Sequence, residues 1–378
     1  MDKFHDIWVV VGTRPECIKQ VPLYLALIKK PALSTSLVGT GQHRELLNNT
    51  IKTYGVSLDM SFETMKSGQS LPDLIISVID GFQKLVVKKG KPDIVIVQGD
   101  TTTALAVSIA AFNLGIKIAH NEAGLRTYNL NNPFPEESNR KIISTIASFH
   151  FAPTKESMKN LIKEGINKNS IYVVGNTGID SLFWALKKDC PEEIKSIINK
   201  LNQDKVDFGL ITAHRRESAG KSFENIFNGV HDFLEVNKNF IFIYPTHPNG
   251  LGQVAAEEVF GRNSKNLNII KPVDYISLVH LIKSSKIIMT DSGGIQEEAA
   301  TIGRPTVICR EYTERNEAVQ LGIAKIGTQS RRKIFEALQW ANINQKDSEI
   351  WSHRPFGEGN SGEKIASILF NIKKESML

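Results

Sequence analysis

Runs of consecutive apolar residues, each followed by a stretch of helical spacing, recur along the whole chain. In the first half the runs fall at residues 7–11, 35–39, 94–98, 117–120, 150–152 and 171–174. They are continuously hydrophobic rather than alternating, as in strands of a parallel sheet covered on both faces. Helical patterning fills residues 22–30, 71–88, 102–114, 140–148 and 155–165 between them. Alternation of this kind predicts a doubly wound sheet. The rhythm restarts after Gly175-Asn-Thr-Gly178, with strands expected at 208–212, 240–244, 267–270, 286–290 and 306–309. Helices are expected at 223–236, 275–284, 295–301 and 331–341, and a last one at 362–374 beyond an irregular segment, 351–361. The economical architecture is α/β, with two Rossmann-like domains facing each other across a cleft. Their expected limits are residues 1–172 and 173–360, with a helix in 361–378 crossing back onto the first. In such sheets ligands bind beyond the carboxyl ends of the strands.

Composition narrows the function classes. At 378 residues the chain exceeds what one hydrophobic core organises. A hydrophobic share of 41% with 23% charged residues is that of a soluble globular protein. The net charge of +6 suits an anionic small molecule as well as nucleic acid. Lys and Arg are dispersed, however, and no basic stripe is interleaved with aromatics, which argues against nucleic acid. Cys17, Cys190 and Cys309 are far apart and form no CxxC pair, so neither a disulfide framework nor a zinc site is expected. The N-terminus runs almost at once into the first apolar segment, unlike a signal peptide, and no apolar run is long enough to span a bilayer. A soluble cytoplasmic protein is expected.

Acidic residues gather where such a fold keeps its chemistry. Asp100 ends a strand in Val97-Gln-Gly-Asp-Thr-Thr-Thr103, and Glu122 follows another in His120-Asn-Glu-Ala-Gly-Leu-Arg-Thr127. Asn132-Pro-Phe-Pro-Glu-Glu-Ser-Asn-Arg140 puts Glu136 and Glu137 side by side in an expected loop. Acids so placed serve proton transfer. Val11-Gly-Thr-Arg-Pro-Glu-Cys-Ile-Lys19 brings Arg14 and Lys19 to a helix start, which is anion-binding chemistry. The alternative is a solvated helix start with Glu16 and Lys19 paired on its surface. In Ser292-Gly-Gly-Ile-Gln-Glu-Glu298, Gly293 and Gly294 let backbone N–H groups approach a pyrophosphate. Ser292 adds a hydroxyl there, and Glu298 lies in reach of ribose hydroxyls. Thr212-Ala-His-Arg-Arg-Glu217 ends a strand with His214, Arg215 and Arg216, and Tyr244-Pro-Thr-His-Pro-Asn249 repeats the placement with His247. Gly39-Thr-Gly-Gln-His-Arg44 lacks the third glycine of a dinucleotide fingerprint, and Gly220-Lys-Ser222 lacks the first glycine of a P-loop. Neither a nicotinamide cofactor nor a metal site is expected.

Together these segments resemble the non-hydrolysing UDP-N-acetylglucosamine 2-epimerases of bacteria. The matching residues are Gly12-Thr-Arg-Pro-Glu16, Gln42-His-Arg44, Gln98-Gly-Asp-Thr-Thr-Thr103, Glu122-Ala-Gly-Leu-Arg-Thr127 and Pro133-Phe-Pro-Glu-Glu137. Asn139-Arg140, His214-Arg-Arg-Glu217, Ser292-Gly-Gly-Ile-Gln-Glu-Glu298, Thr313-Glu-Arg315 and Gly327-Thr328 extend the match over nearly the whole chain. The resemblance implies a GT-B-like fold whose second domain binds UDP, a cytoplasmic homodimer, and interconversion of UDP-GlcNAc and UDP-ManNAc without added cofactor for a surface polysaccharide. It implies an acid/base set of Asp100, Glu122 and Glu136, assisted by His214 and Lys19. Arg14, Lys19, His214, Ser292, Gly293, Gly294, Glu298 and Arg315 then bind UDP-sugar, and Gln42, Gln69, Arg215 and His247 bind a second UDP-GlcNAc as activator. Gly68, where an arginine often stands, and Glu45, where glutamine is frequent, depart from that activator pattern. A hydrolysing 2-epimerase releasing ManNAc and UDP shares most of these motifs. A GT-B glycosyltransferase and a catalytically silent sugar-nucleotide sensor are further alternatives.

Overall fold

The computed structural model describes residues 5–41, 44–64, 68–213, 221–246, 250–261, 264–345 and 353–375. The chain forms two compact units, Met1–Ser181 with Phe356–Leu378, and Leu182–Pro355. The first is built on a seven-stranded parallel sheet: β1 (His5–Val11), β2 (Leu33–Gly39), β3 (Met60–Ser61), β4 (Ile94–Gln98), β5 (Lys117–Asn121), β6 (Phe149–Ala152) and β7 (Ile171–Val173). Their order is β3-β2-β1-β4-β5-β6-β7. The second unit carries β8 (Asp207–Thr212), β9 (Phe240–Pro245), β10 (Leu267–Ile270), β11 (Ile287–Thr290), β12 (Thr306–Ile308) and β13 (Ala324–Ile326), ordered β10-β9-β8-β11-β12-β13. Strand order reverses between β1 and β4 in one sheet and between β8 and β11 in the other. These switch points open crevices at the strands' carboxyl ends.

The continuous apolar runs became central strands because both faces are covered. All five residues of β4 are buried, and Trp8 of β1 packs edge-on against Phe82 of the helix Leu71–Lys89 at 5.9 Å. In the second unit Phe233 meets Phe240 edge-to-face at 5.3 Å and Phe242 at 6.0 Å. Among the described residues, no helix is long and apolar enough to cross a membrane.

Several elements differ from the sequence reading. The first helix spans Arg14–Ile28, so Pro22 lies inside it rather than opening it. Proline has no N–H to give the carbonyl one turn back; the Ser181 hydroxyl donates to Ile18 O instead. The helix Glu136–Ile146 starts four residues earlier than expected and absorbs Glu136 and Glu137 into its first turn, where carboxylates favour the helix dipole. The two-residue β3, the short β13 and the helices Arg44–Thr53, Thr177–Leu186, Glu192–Gln203, Leu251–Phe260 and Asn316–Gln320 were not anticipated. Glu192–Gln203 does carry a signal, with Ile194, Ile197, Ile198 and Leu201 at helical spacing against the core; the shorter elements carry less, and tertiary packing decides them.

The chain re-enters the first unit at Phe356, whose carbonyl accepts from Asn176 N at 2.7 Å, and ends in the helix Ser361–Glu375. That helix packs on Arg14–Ile28. Asp180 accepts from its first two amides, Ser361 N at 3.1 Å and Gly362 N at 2.9 Å, as a side chain supplied from elsewhere in the chain. Asp180→Ala should therefore leave two helix-end donors unsatisfied and destabilise the first unit by about 1–3 kcal/mol. A urea midpoint equal to that of the wild type would exclude the capping role.

Candidate active site

The turn after β1 positions the first cation. Thr13 is the N-cap of Arg14–Ile28, and Glu16 closes a capping box with it. Arg14 occupies the first helical position. Lys19 reaches across to Glu122, beyond β5, at 2.7 and 2.6 Å from its two carboxylate oxygens. The surface pairing of Glu16 with Lys19 does not form, because Glu16 is buried on other partners while Lys19 pairs with Glu122. Glu122 is only 5% exposed. It also accepts from the Gln98 amide at the end of β4, and from Asn176 Nδ2 at 3.2 Å. Its backbone has φ 64, the left-handed region that costs a non-glycine residue about 1–2 kcal/mol. Asn121 Oδ1 steadies it by accepting from Glu122 N at 3.1 Å. Such strain is kept where the surroundings over-determine a geometry.

Asp100, next to Gln98 and Gly99, is held differently. Arg140 grips its carboxylate at 2.8 Å through Nε and 2.5 Å through a terminal nitrogen, and Asn139 donates to its carbonyl at 2.8 Å. Arg140 is in turn paired with the fully buried Glu137 at 3.1 Å. Glu137 also accepts from Thr127 N and Tyr128 N, each at 3.0 Å, so it organises the segment ahead of its helix. Glu136 is the first residue of that helix, one turn before Arg140, rather than a loop residue. The carbonyl of Gly99 bonds His120 Nε2 at 2.7 Å. Burial, with lesser effects from His150 and Arg126, pushes the His120 imidazole down to about 3 despite that bond and Asp100. It is a neutral strut behind the Asp100 turn.

In the second unit, Ser292 follows β11 as N-cap of the helix Gly293–Thr301, with no cap bond from its own side chain. Its amide donates to Thr290 Oγ1 at 3.0 Å. A Cβ on Gly293 would lie 2.4 Å from the Arg315 guanidinium, so glycine there admits Arg315 against the helix start, whereas Gly294 faces open space. Arg315 is buried between Glu297 at 2.9 Å and Glu314 at 2.5 Å. Glu298 accepts from the Tyr275 hydroxyl at 2.8 Å. Gln69, ahead of Leu71–Lys89, donates to Ser77 Oγ at 2.8 Å. Gln42, His214, Arg215 and His247 lie outside the described residues.

The structure thus joins Lys19 to Glu122 and Asp100 to Arg140, with Glu136 one turn before Arg140 on the same helix. It adds Gln98, Asn176, Glu137 and Tyr275 as partners that the sequence reading assigned no role at the sugar. Gln98 had one signal, a polar side chain closing an otherwise apolar strand. Asn176 lies in the Gly175-Asn-Thr-Gly178 segment, which the sequence marks only as the point where the strand–helix rhythm restarts. Among the described residues, no three His, Cys, Asp or Glu side chains are grouped to hold a metal ion.

A family model described as UDP-N-acetylglucosamine 2-epimerase matches residues 25–370. The chain is 39% identical over 381 residues to a UDP-N-acetylglucosamine 2-epimerase of Campylobacter jejuni, covering 98% of this chain and 99% of that one. It is similar to the crystal structure of the Neisseria meningitidis UDP-GlcNAc 2-epimerase bound to UDP-GlcNAc, with TM-score 0.87 and 36% identity over 97% of this chain and 99% of that one. The Methanocaldococcus jannaschii UDP-GlcNAc 2-epimerase in complex with UDP-GlcNAc and UDP gives TM-score 0.83 and 32% identity, again over 97% and 99%. The α/β, GT-B-like class expected from the sequence is the class of these structures.

The buried His120 makes stability depend on pH. Unfolded, its imidazole takes up a proton near pH 6.5; folded, it does so only near pH 3. The stability it contributes is therefore complete above pH 6.5 and is lost as pH falls toward 3, on the order of 5 kcal/mol in all. His120→Gln, which keeps an N–H for Gly99 O but does not titrate, should flatten this acid limb in denaturant melts between pH 8 and 4. Parallel profiles for the two proteins would rule the strut out as the cause.

Proposed function

From the premise that the chain belongs to the UDP-N-acetylglucosamine 2-epimerase family, we propose that it interconverts UDP-GlcNAc and UDP-ManNAc without net hydrolysis. The observation that carries this reading is the carboxylate cluster at the β1/β4 switch point. Glu122 is held there by Lys19, Gln98 and Asn176, and Asp100 by Arg140.

The proton on carbon 2 of the sugar is not acidic, since no carbonyl activates it. Departure of UDP, with the C1–O bond pair, leaves a cation at carbon 1 that makes this proton removable. Loss of the proton to a carboxylate gives 2-acetamidoglucal. Proton delivery to the opposite face, with return of UDP to carbon 1, completes the inversion. The scheme needs cations for the leaving pyrophosphate and more than one carboxyl group around the ring. Asp100, Glu122 and Glu136 serve as the acid/base set, with Lys19 and His214 assisting. Arg14, Lys19, His214, Arg315, Ser292 and the amides of Gly293 and Gly294 take the pyrophosphate, and Glu298 takes the ribose. The fixed geometry of Glu122 supports its place in this set, because a proton acceptor must be held still against its substrate.

The reading extends to a cytoplasmic homodimer that supplies ManNAc units to a bacterial surface polysaccharide. It includes activation by a second UDP-GlcNAc at Gln42, Gln69, Arg215 and His247.

Incubated with UDP-GlcNAc in heavy water, the protein should yield UDP-ManNAc carrying deuterium at carbon 2, seen by proton NMR. Glu122→Gln and Asp100→Asn should fold and lose about 10²–10⁴-fold in that exchange. Free ManNAc as the product would indicate the hydrolysing reaction instead, and wild-type rates in either variant would refute its assignment. Trace UDP-GlcNAc should raise the initial rate from UDP-ManNAc; equal rates with and without it would remove the activator site.

A further inference from the structure

Glu16 does more than its place in a capping box requires. A capping box needs one carboxylate oxygen to accept from the N-cap amide. Here a single oxygen, Oε2, accepts from both Thr13 N at 2.6 Å and Gly12 N at 2.9 Å. The other oxygen, Oε1, accepts from the Thr101 hydroxyl at 2.6 Å, across 85 residues of sequence. Thr101 directly follows Asp100 and caps the helix Thr102–Asn113 by accepting from Ala104 N at 3.0 Å. Its hydroxyl proton is thus committed to Glu16 and a lone pair to the helix.

The arrangement is costly, which argues that it is kept for a reason. Glu16 is 3% exposed, and its described partners are two amides and the hydroxyls of Thr101 and Thr13, with no cation among them. Burial raises its carboxyl above the ordinary value even though each of these bonds opposes the shift. The same chain shows that a cap alone needs no such burial, for Ser70 and Asp73 form an equivalent box in solvent at the start of Leu71–Lys89. Packing leaves little slack around Glu16, because a Cβ on Gly12 would lie 2.6 Å from Thr40 Oγ1 and 3.2 Å from Glu16 Oε2.

We infer that Glu16 is a positioning residue, a buried clamp that fixes the Asp100 turn relative to the helix carrying Arg14 and Lys19. Arg140 and Asn139 hold Asp100 from one side, and Glu16 acting through Thr101 holds it from the other. The inference rests on the epimerase reading above, since it matters to turnover only if Asp100 acts on the sugar. A displacement of order 1 Å at such a group costs up to about 10²-fold in rate.

Glu16→Asp tests this directly. Aspartate supports a capping box in this chain at Asp73, but it is one methylene too short to span both the cap and Thr101. The variant should keep its thermal midpoint within ~3 °C, keep its KM for UDP-GlcNAc within about twofold, and lose about 10–100-fold in kcat and in deuterium uptake at carbon 2. Thr101→Val should show the same loss in kcat, and Thr101→Ser, which restores the hydroxyl, should recover it. As a control for lost caps, Thr154→Val removes the corresponding bond from Lys155–Lys163 and should leave kcat unchanged. Wild-type kcat in a folded Glu16→Asp protein would overturn the clamp. So would losses of kcat, KM and thermal midpoint together, matched by Thr154→Val. A wild-type protein that converts no UDP-GlcNAc would refute the activity itself, and that result is read independently of the variants.

Discussion

Glu122 sits almost out of solvent at the carboxyl end of β5, and a buried ion there persists only if its desolvation is offset by close partners. Lys19 supplies the charge, while Gln98 and Asn176 fill the remaining lone pairs. Those partners come from the helix after β1, the end of β4 and the turn after β7. Satisfying one carboxylate therefore locks together segments that meet only because the sheet places β1, β4 and β5 side by side. Removing any one donor would leave the ion under-satisfied, and so the register of the first sheet and the geometry of the site are a single constraint.

The same logic repeats with different chemistry around Asp100 and Arg315. Arg140 reads Asp100 on one side and Glu137 on the other, so that two acids can lie close together without repelling each other apart. Arg315 is enclosed by Glu297 and Glu314, and glycine at 293 leaves the room it occupies. In each unit a buried arginine is oriented by two carboxylates, one from its own sequence motif and one from a distant motif. Side chains held this way offer charges of fixed direction to a ligand, and pre-set charges are what stabilise a departing pyrophosphate.

Much of the fold was legible in the chain. The central strands β1, β4, β8 and β11 are continuous apolar runs, and burial on both faces is the only stable use of such a run in a soluble protein. The first helix was misplaced because Pro22 reads as a start, when its missing hydrogen bond is replaced by Ser181 from far along the chain. The two prolines ahead of Glu136 and Glu137 suggest a loop, yet the second of them, Pro135, is the N-cap of a helix that the carboxylates themselves favour.

Sequence alone determined which chemistry is available: Asp100 and Glu122 at strand ends, Glu136 in the segment beyond them, Arg14 and Lys19 at a helix start, and a Ser-Gly-Gly turn after an apolar strand. These follow from residue type and local spacing, which act over a few residues and need no knowledge of the rest of the chain. Only the tertiary structure decided who holds whom. Lys19 belongs to Glu122 and not to Glu16, Asp100 to Arg140, Glu298 to Tyr275, and Glu16 to a threonine 85 residues away. Such pairings join segments brought adjacent by strand order, and strand order is set by the packing of whole sheets rather than by any local run of residues.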